Sequence, residues 1–160
     1  MSNITAGRSF SEGAESVKKV ERSAASASDV FGDKHRIVIV EDSLLIRYQV
    51  RRLLSLEKDF TVVGEADNGI DGVKLVQKLR PDLVVMDIRM PLMDGVEATS
   101  HIKAESPETV VIGFTSVRER DMLDQFLSAG AAGLVDKSGN WRLLVDTLRS
   151  SLKKHAAPVC

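Results

Sequence analysis

Short aliphatic runs in this chain repeatedly end on side chains that carry charge or a reactive oxygen. "RIVIV" (Arg36–Val40) runs into Glu41-Asp42, "DLVVMD" (Asp82–Asp87) finishes on Asp87, and "TVVIGF" (Thr109–Phe114) leads into Thr115-Ser116. "AAGLVDK" (Ala131–Lys137) closes on Asp136-Lys137, and "FTVVGEA" (Phe60–Ala66) on Glu65-Ala66, just before Asp67. Asp87 is the hardest to explain as packing, because it tips the greasiest run of all and a proline-bearing loop follows at once. Glu41, Asp42 and Asp87 converge if the first and third runs lie side by side. Three carboxylates so placed repel one another and resist desolvation unless a cation compensates them. Mg²⁺ suits such a site, with few carboxylates, a backbone carbonyl and several waters. Lys137 would add a mobile point charge and Thr115 a hydroxyl donor, an anion cradle facing a metal. Acid, metal, hydroxyl and ammonium together fit phosphoryl transfer, where positioning and charge neutralisation do most of the work. Asp42 and Ser43 also have a purely structural use, as N-caps of the helix that follows.

The elements that must position these groups are legible from periodicity. The runs are β-branched and flanked by turn residues, which favours strands. They barely alternate with polar residues, so both faces should be covered, as in a parallel sheet. Between them lie amphipathic segments. "SLLIRYQVRRLLSLE" repeats Ile46, Val50, Leu53 and Leu54; "GIDGVKLVQKLR" offers Ile70, Val73, Val76 and Leu79 and stops at Pro81. "DGVEATSHIKAE" ends before Pro107, and "RERDMLDQFLSAG" pairs Met122 with Phe126 and Leu123 with Leu127 before Gly130. "NWRLLVDTLRSSLKK" puts Trp141, Leu144, Val145, Leu148 and Leu152 on one stripe. All these stripes are expected to face the core, with Trp141 a packing residue. Strand and helix alternation makes a (βα)5 unit, whose right-handed crossovers put helices on both faces of the sheet. Ligands of such sheets bind beyond the carboxyl ends of the strands, where the polar groups above collect.

The chain has 160 residues, a net charge of −1, 43% apolar and 28% charged residues. That is one ordinary domain, with no excess charge to attract nucleic acid or a membrane surface. No apolar run approaches a membrane span or a signal-peptide core. Cys160 is the single cysteine, so no internal disulfide forms and a cytoplasmic location is the simplest expectation. Residues 1–34 are rich in Ser, Ala and Gly with scattered hydrophobes, and are expected to be a flexible arm, a short helix over Glu15–Ala27 being the alternative. Residues 35–154 form the domain and 155–160 a short tail. His35, His101 and His155 have no metal-ligand spacing and are expected at the surface.

"IVIVEDSLLIR", "VVMDIRMPLMDG", "FTS" and "AGAAGLVDK", in this order and spacing, resemble the receiver domain of two-component response regulators over about Arg36 to Lys154. "VVGEADNG" and "AGAAG" resemble the subfamily usually fused to a helix-turn-helix output domain. The resemblance implies a flavodoxin-like doubly wound parallel sheet of strand order 2-1-3-4-5. It implies that Asp87 accepts a phosphoryl group from a histidine kinase or histidine phosphotransfer protein. Asp42, Asp87 and the backbone carbonyl of Arg89 would ligate Mg²⁺, with Glu41 acting through water. Thr115 and Lys137, with Ser116 beside them, would bind the phosphoryl group. Pro91 would shape the loop after Asp87, and Gly95 would let the next helix start close by. Output, and any homodimer, would use the face of the fourth helix, fifth strand and fifth helix, towards a downstream protein, without direct contact to nucleic acid or membrane.

Several positions depart from that family. The usual aromatic switch, three residues before the lysine, is Leu134; Ser138 stands where proline is common; Glu41 replaces the first acid of an Asp pair. No output domain follows the last helix stripe, which favours a stand-alone receiver over a receiver fragment of a longer DNA-binding regulator. Arg89 and Val117, two residues after Asp87 and Thr115, offer no acid or amide to orient a hydrolytic water, so a phosphoryl group should persist for minutes or longer. The chain is expected to be a phosphoryl acceptor rather than a turnover enzyme. A phosphorylation-independent interaction scaffold is the main competitor. An aspartate-nucleophile phosphatase would want an acid where Arg89 stands, and a dinucleotide binder a Gly-rich turn after the first strand.

Overall fold

The aliphatic runs pair as one parallel sheet, described here from a computed structural model that covers residues 33–157. Its strands are β1 (His35–Val40), β2 (Phe60–Ala66), β3 (Leu83–Met86), β4 (Val110–Thr115) and β5 (Gly133–Asp136). They alternate with α1 (Leu44–Ser55), α2 (Gly69–Leu79), α3 (Gly95–Glu105), α4 (Arg120–Ser128) and α5 (Arg142–Ala156). The strand order is β2-β1-β3-β4-β5, with every neighbouring pair parallel. The expectations for Glu15–Ala27, for most of the arm and for Cys160 fall outside the described residues.

Successive strand residues point to opposite faces, and here both faces are covered. Ile37, Ile39, Leu83, Val85, Ile112 and Phe114 pack with Val50 and Leu54 of α1 and Leu144, Val145 and Leu148 of α5. Val38, Val40, Val84, Met86 and Val111 pack on the other face with Val73 and Val76 of α2, Ala98 and Ile102 of α3, and Phe126 of α4. The central strand β3 is buried along its whole length, which fixes the position of anything attached to its end. Among the described residues, no helix is long and apolar enough to cross a membrane.

Two stripe residues depart from the expected pattern. Ile70 is 36% and Leu127 42% exposed. Ile70 lies in the first turn of α2, and Leu127 follows the fully buried Phe126, which turns it about 100° away from the core. Trp141 packs edge-on against Phe114, with ring centroids 5.0 Å apart. His35, His101 and His155 are exposed.

Away from the carboxyl ends of the strands, one guanidinium ties α5 to the segment entering β2. Arg149 donates through Nε and Nη2 to the two carboxylate oxygens of Asp59, both at 2.7 Å, and through Nη2 to Glu57 at 2.6 Å. It also lies 5.5 Å from the Phe60 ring centroid. These hydrogen bonds hold the Asp59 carboxyl below its ordinary range, and its partners raise Arg149 further. Arg149→Met should therefore cost about 1 kcal/mol near neutral pH, a modest figure because the network is partly solvent-screened. A lowered folded pKa stabilises above the unfolded value and is lost as pH falls through the folded one. The wild-type advantage in urea unfolding should thus shrink below about pH 4. An advantage that grew in acid would contradict the assignment.

Candidate functional site

Val40 of β1 lies opposite Met86 of β3, so the next residues, Glu41 and Asp87, leave the sheet side by side. Their backbones are pinned: the Asp87 N–H donates to the Val40 carbonyl (2.9 Å) and the Glu41 N–H to the Ala66 carbonyl (3.0 Å). One oxygen from each of Glu41, Asp42 and Asp87 lies within 4.8 Å of the others. Glu41 and Asp87 are buried, 3% and 6% exposed, whereas Asp42 is open to solvent. Capping of α1 falls to Ser43, whose hydroxyl accepts from the Ile46 N–H at 3.4 Å. Asp42 is thereby left outside the cap.

Lys137, one residue past β5, enters this group from the other side. Its N–H donates to the Thr115 carbonyl (3.1 Å), and the Lys137 carbonyl accepts from the Trp141 indole N–H (2.8 Å). The backbone is held at both ends of the residue. The ammonium Nζ sits 2.6 Å from Glu41 Oε2 and 3.0 Å from Asp87 Oδ2, with the side chain only 13% exposed. The remaining oxygens are also engaged: Glu41 Oε1 accepts from the Ser43 N–H (3.1 Å) and Asp87 Oδ1 from the Ile88 N–H (2.7 Å). Burial pushes the Glu41 carboxyl above its ordinary range, outweighing the pull of the Lys137 hydrogen bond, and the Asp87 charge pushes the same way.

Thr115 is buried at the end of β4, two residues past Gly113, which pairs with Met86. Its hydroxyl oxygen accepts from the Val117 N–H at 3.1 Å, leaving its own proton to donate elsewhere. Ser116 is exposed on the loop between β4 and α4. Leu134 is half-buried against the α2–α4 side of the core. The other acids at strand ends are drawn away: Glu65 pairs with Arg47 and Arg51, both at 3.4 Å, and Asp136 with Arg118 at 3.3 Å. Hydrogen bonds from the Ser138 amide and hydroxyl hold the Asp136 carboxyl low.

Sequence patterns leave several supporting contacts unmarked, because they depend on side-chain reach. Arg47 donates to the Glu41 carbonyl at 2.6 Å, bracing the first acid from α1. Arg89 pairs with Glu119, joining the loop after Asp87 to the loop after Thr115. A cleft of about 460 Å³ opens there, lined by Arg89, Ser116, Val117, Arg118 and Glu119. A periodic signal that could have flagged either pair does not exist.

Chemically, the pocket offers a buried carboxylate at the end of a rigid strand, two more acids and an ammonium, with Thr115 closing the neighbouring strand. Its oxygen-only acidic set suits a small hard cation such as Mg²⁺. The sequence family described as response regulator receiver domain matches residues 37–149. The chain belongs to the receiver domain family. It is 37% identical over 102 residues to the chemotaxis protein CheY of Halobacterium salinarum, covering 64% of this chain and 83% of that one. Over 107 residues it is 43% identical to a protein-glutamate methylesterase/protein-glutamine glutaminase of Nocardioides, 66% of this chain but 29% of that protein. The signal receiver domain of the putative response regulator NarL from Mycobacterium tuberculosis superposes with a TM-score of 0.72 at 33% identity, covering 76% of this chain and 98% of that one. The chain thus spans under a third of the methylesterase relative and nearly all of an isolated receiver.

In this receiver the helix after the acid-bearing strand starts close to Asp87. The Gly95 N–H donates to the Ile88 carbonyl at 2.7 Å, and a Cβ on Gly95 would lie 2.1 Å from the Asp87 carbonyl oxygen and 2.8 Å from Ile88 Cα. Both obstacles are backbone, so no rotamer change relieves them. Gly95→Ala should lose at least about 2 kcal/mol of stability, read as a lower urea midpoint. Wild-type stability in that variant would show that α3 can back away from Asp87.

Proposed function

We propose that this receiver is a phosphorylation-controlled switch whose acceptor is Asp87. A carboxylate oxygen of Asp87 attacks the phosphorus of a phosphohistidine on a histidine kinase or phosphotransfer protein. The new O–P bond forms as the P–N bond breaks, and the imidazole leaves. Asp42, Asp87 and the Arg89 backbone carbonyl would hold Mg²⁺, with Glu41 acting through water. The metal, when bound, neutralises charge on the transferring phosphoryl oxygens. Lys137 supplies a second positive charge to those oxygens and Thr115 a hydroxyl donor. The observation that carries this reading is the buried Asp87 carboxylate, 3.0 Å from Lys137 Nζ and grouped within 4.8 Å of two further acids.

Phosphorylation adds charge and acceptor oxygens beside Thr115 and Lys137. Drawing the Thr115 hydroxyl towards them would break its bond from the Val117 N–H and shift the start of α4. The α4–β5–α5 face is then the output surface, for a downstream protein or a second receiver. With Leu134 at the switch position, the shift passes through aliphatic packing and not an aromatic rotamer. The protein is accordingly an acceptor that is consumed and regenerated, not a turnover enzyme.

Incubation with a small phosphodonor and Mg²⁺ should add the mass of one phosphoryl group, and Asp87→Asn should remove that gain. Equal labelling of Asp87→Asn would put the acceptor elsewhere, and no labelling of the wild type would favour the interaction scaffold. The label should last minutes or longer after the donor is removed, since Arg89 and Val117 orient no water and Glu119, the acid on the β4–α4 loop, is tied to Arg89. Loss within seconds would show that another group activates water.

A further inference from the structure

The loop from Thr115 to α4 is fastened at two points, by two arginines with different partners. Glu119, on which α4 opens, pairs with Arg89. Arg118 reaches the β5–α5 loop instead: its Nη2 lies 3.3 Å from Asp136 Oδ2 and donates to the Ser138 hydroxyl oxygen at 3.0 Å. Ser138 in turn donates through its amide and its hydroxyl to Asp136 Oδ1, both at 2.7 Å. One carboxylate oxygen is thereby held on Ser138 while the other faces Arg118. Proline, common in the family where Ser138 stands, has neither a hydroxyl nor an N–H for this task. Between the two fastenings, residues 116–119 form no helix or strand. Beside them opens a cleft of about 380 Å³, lined in part by Thr115, Val117, Leu123 and Leu134. We infer that Arg118, Asp136 and Ser138 form a catch that fastens the β4–α4 loop to the β5–α5 loop and resists the shift of α4. The inference rests on the switch reading above and names what the switch must release.

Packing makes this loop and its helix the part that yields. α4 has one buried residue, Phe126, whereas α2 and α3 have four each, so α4 is the helix that a small bias can displace. The inner tie of the loop runs from the Val117 N–H to the Thr115 hydroxyl at 3.1 Å. Turning that hydroxyl towards a phosphoryl group breaks it. The cleft then offers Val117 apolar room beside Leu123 and Leu134. Arg118 still holds the loop from outside. Its pair is exposed, with 73% of the Arg118 side chain and 48% of the Asp136 side chain accessible, and exposed pairs are weak. A weak tie sets a threshold for the shift without preventing it. Arg89 keeps its hold on Glu119 and serves as the pivot. Binding at Asp87 and the loop shift share one equilibrium, so opening the catch by mutation must tighten binding at the acceptor.

The test is a beryllofluoride titration of the full chain in saturating Mg²⁺, followed by calorimetry and by backbone amide resonances of Val117 and Leu123. Arg118→Met should bind beryllofluoride about threefold more tightly than wild type. Its Val117 and Leu123 amides, before any beryllofluoride is added, should already lie part-way to their bound positions. The direction is diagnostic, because loss of a positive charge near the pocket would by itself weaken the binding of an anion. Ser138→Ala keeps every charge and should move the same amides in the same direction by less. Arg120→Met, which removes a neighbouring exposed charge outside the catch, should not tighten binding. Unchanged or weaker binding by Arg118→Met, or amides that stay at their wild-type positions, overturns the inference and leaves the acceptor reading intact. Tightening by Arg120→Met as large as that by Arg118→Met overturns it too, since general charge would then be the cause. Absence of beryllofluoride binding in the wild type and all three variants defeats the acceptor reading, and the inference with it.

Discussion

One ammonium between two buried carboxylates sets the terms for everything at the carboxyl edge of this receiver's sheet. Glu41 and Asp87 leave adjacent strands at the same level, and two like charges so close in a dry pocket would drive one of them to protonate. Lys137 relieves that repulsion at 2.6 and 3.0 Å. The relief is partial for Glu41, whose carboxyl still sits above its ordinary range because burial dominates. The pocket is therefore compensated yet not content. That condition suits the proposed binding of a second cation and an incoming anion.

Such a balance needs rigid posts, and the two-sided core provides them. β1 and β3 are locked between the α1/α5 layer and the α2/α3/α4 layer, so Glu41 and Asp87 cannot drift apart to lower their repulsion. Lys137 is held by its backbone from β4 on one side and α5 on the other. Above the strands the contacts pass to the loops: the Val117 N–H donates to the Thr115 hydroxyl, and the exposed Arg89–Glu119 pair links neighbouring loops. Where the strands stop decides which contacts belong to the sheet and which to the loops.

Much of this arrangement is written locally in the chain. Uninterrupted aliphatic runs announce strands covered on both faces, and the polar residues that end them mark the edge where chemistry gathers. Asp87 and Lys137 stood out for that reason. What local patterns do not carry is anything that depends on distance through space. The tie from Arg149 to Asp59 spans 90 positions, and no periodicity reports it. The choice of Ser43 over Asp42 as the cap follows from where α1 begins, at Leu44, and not from residue type, since both types cap well. Ile70 satisfies a helical stripe by spacing yet lies in the first turn of α2, where it is partly exposed. Glu41 looked like a mere substitute for aspartate; its extra methylene matters only once the position of Lys137 is known.

Leu134 makes the same point at the β5 edge of the sheet. It packs beside Gly113 and Phe126, where a Cβ on Gly113 would come within 2.5 Å of Leu134 Cδ2 and 2.7 Å of Phe126 Cε1. Leu134 of β5 and Phe126 of α4 thus close on the same glycine of β4, with Trp141 and Phe114 forming a separate aromatic pair on the opposite face of the sheet. The most direct measurement is a structure of the protein with Mg²⁺ and beryllofluoride. It should show the fluoride group on Asp87, the metal against Asp42 and Asp87, and Lys137 Nζ moved off Glu41 onto a fluorine. Beryllofluoride bound elsewhere, or Lys137 still lodged between Glu41 and an unmodified Asp87, would contradict the assignment of this pocket.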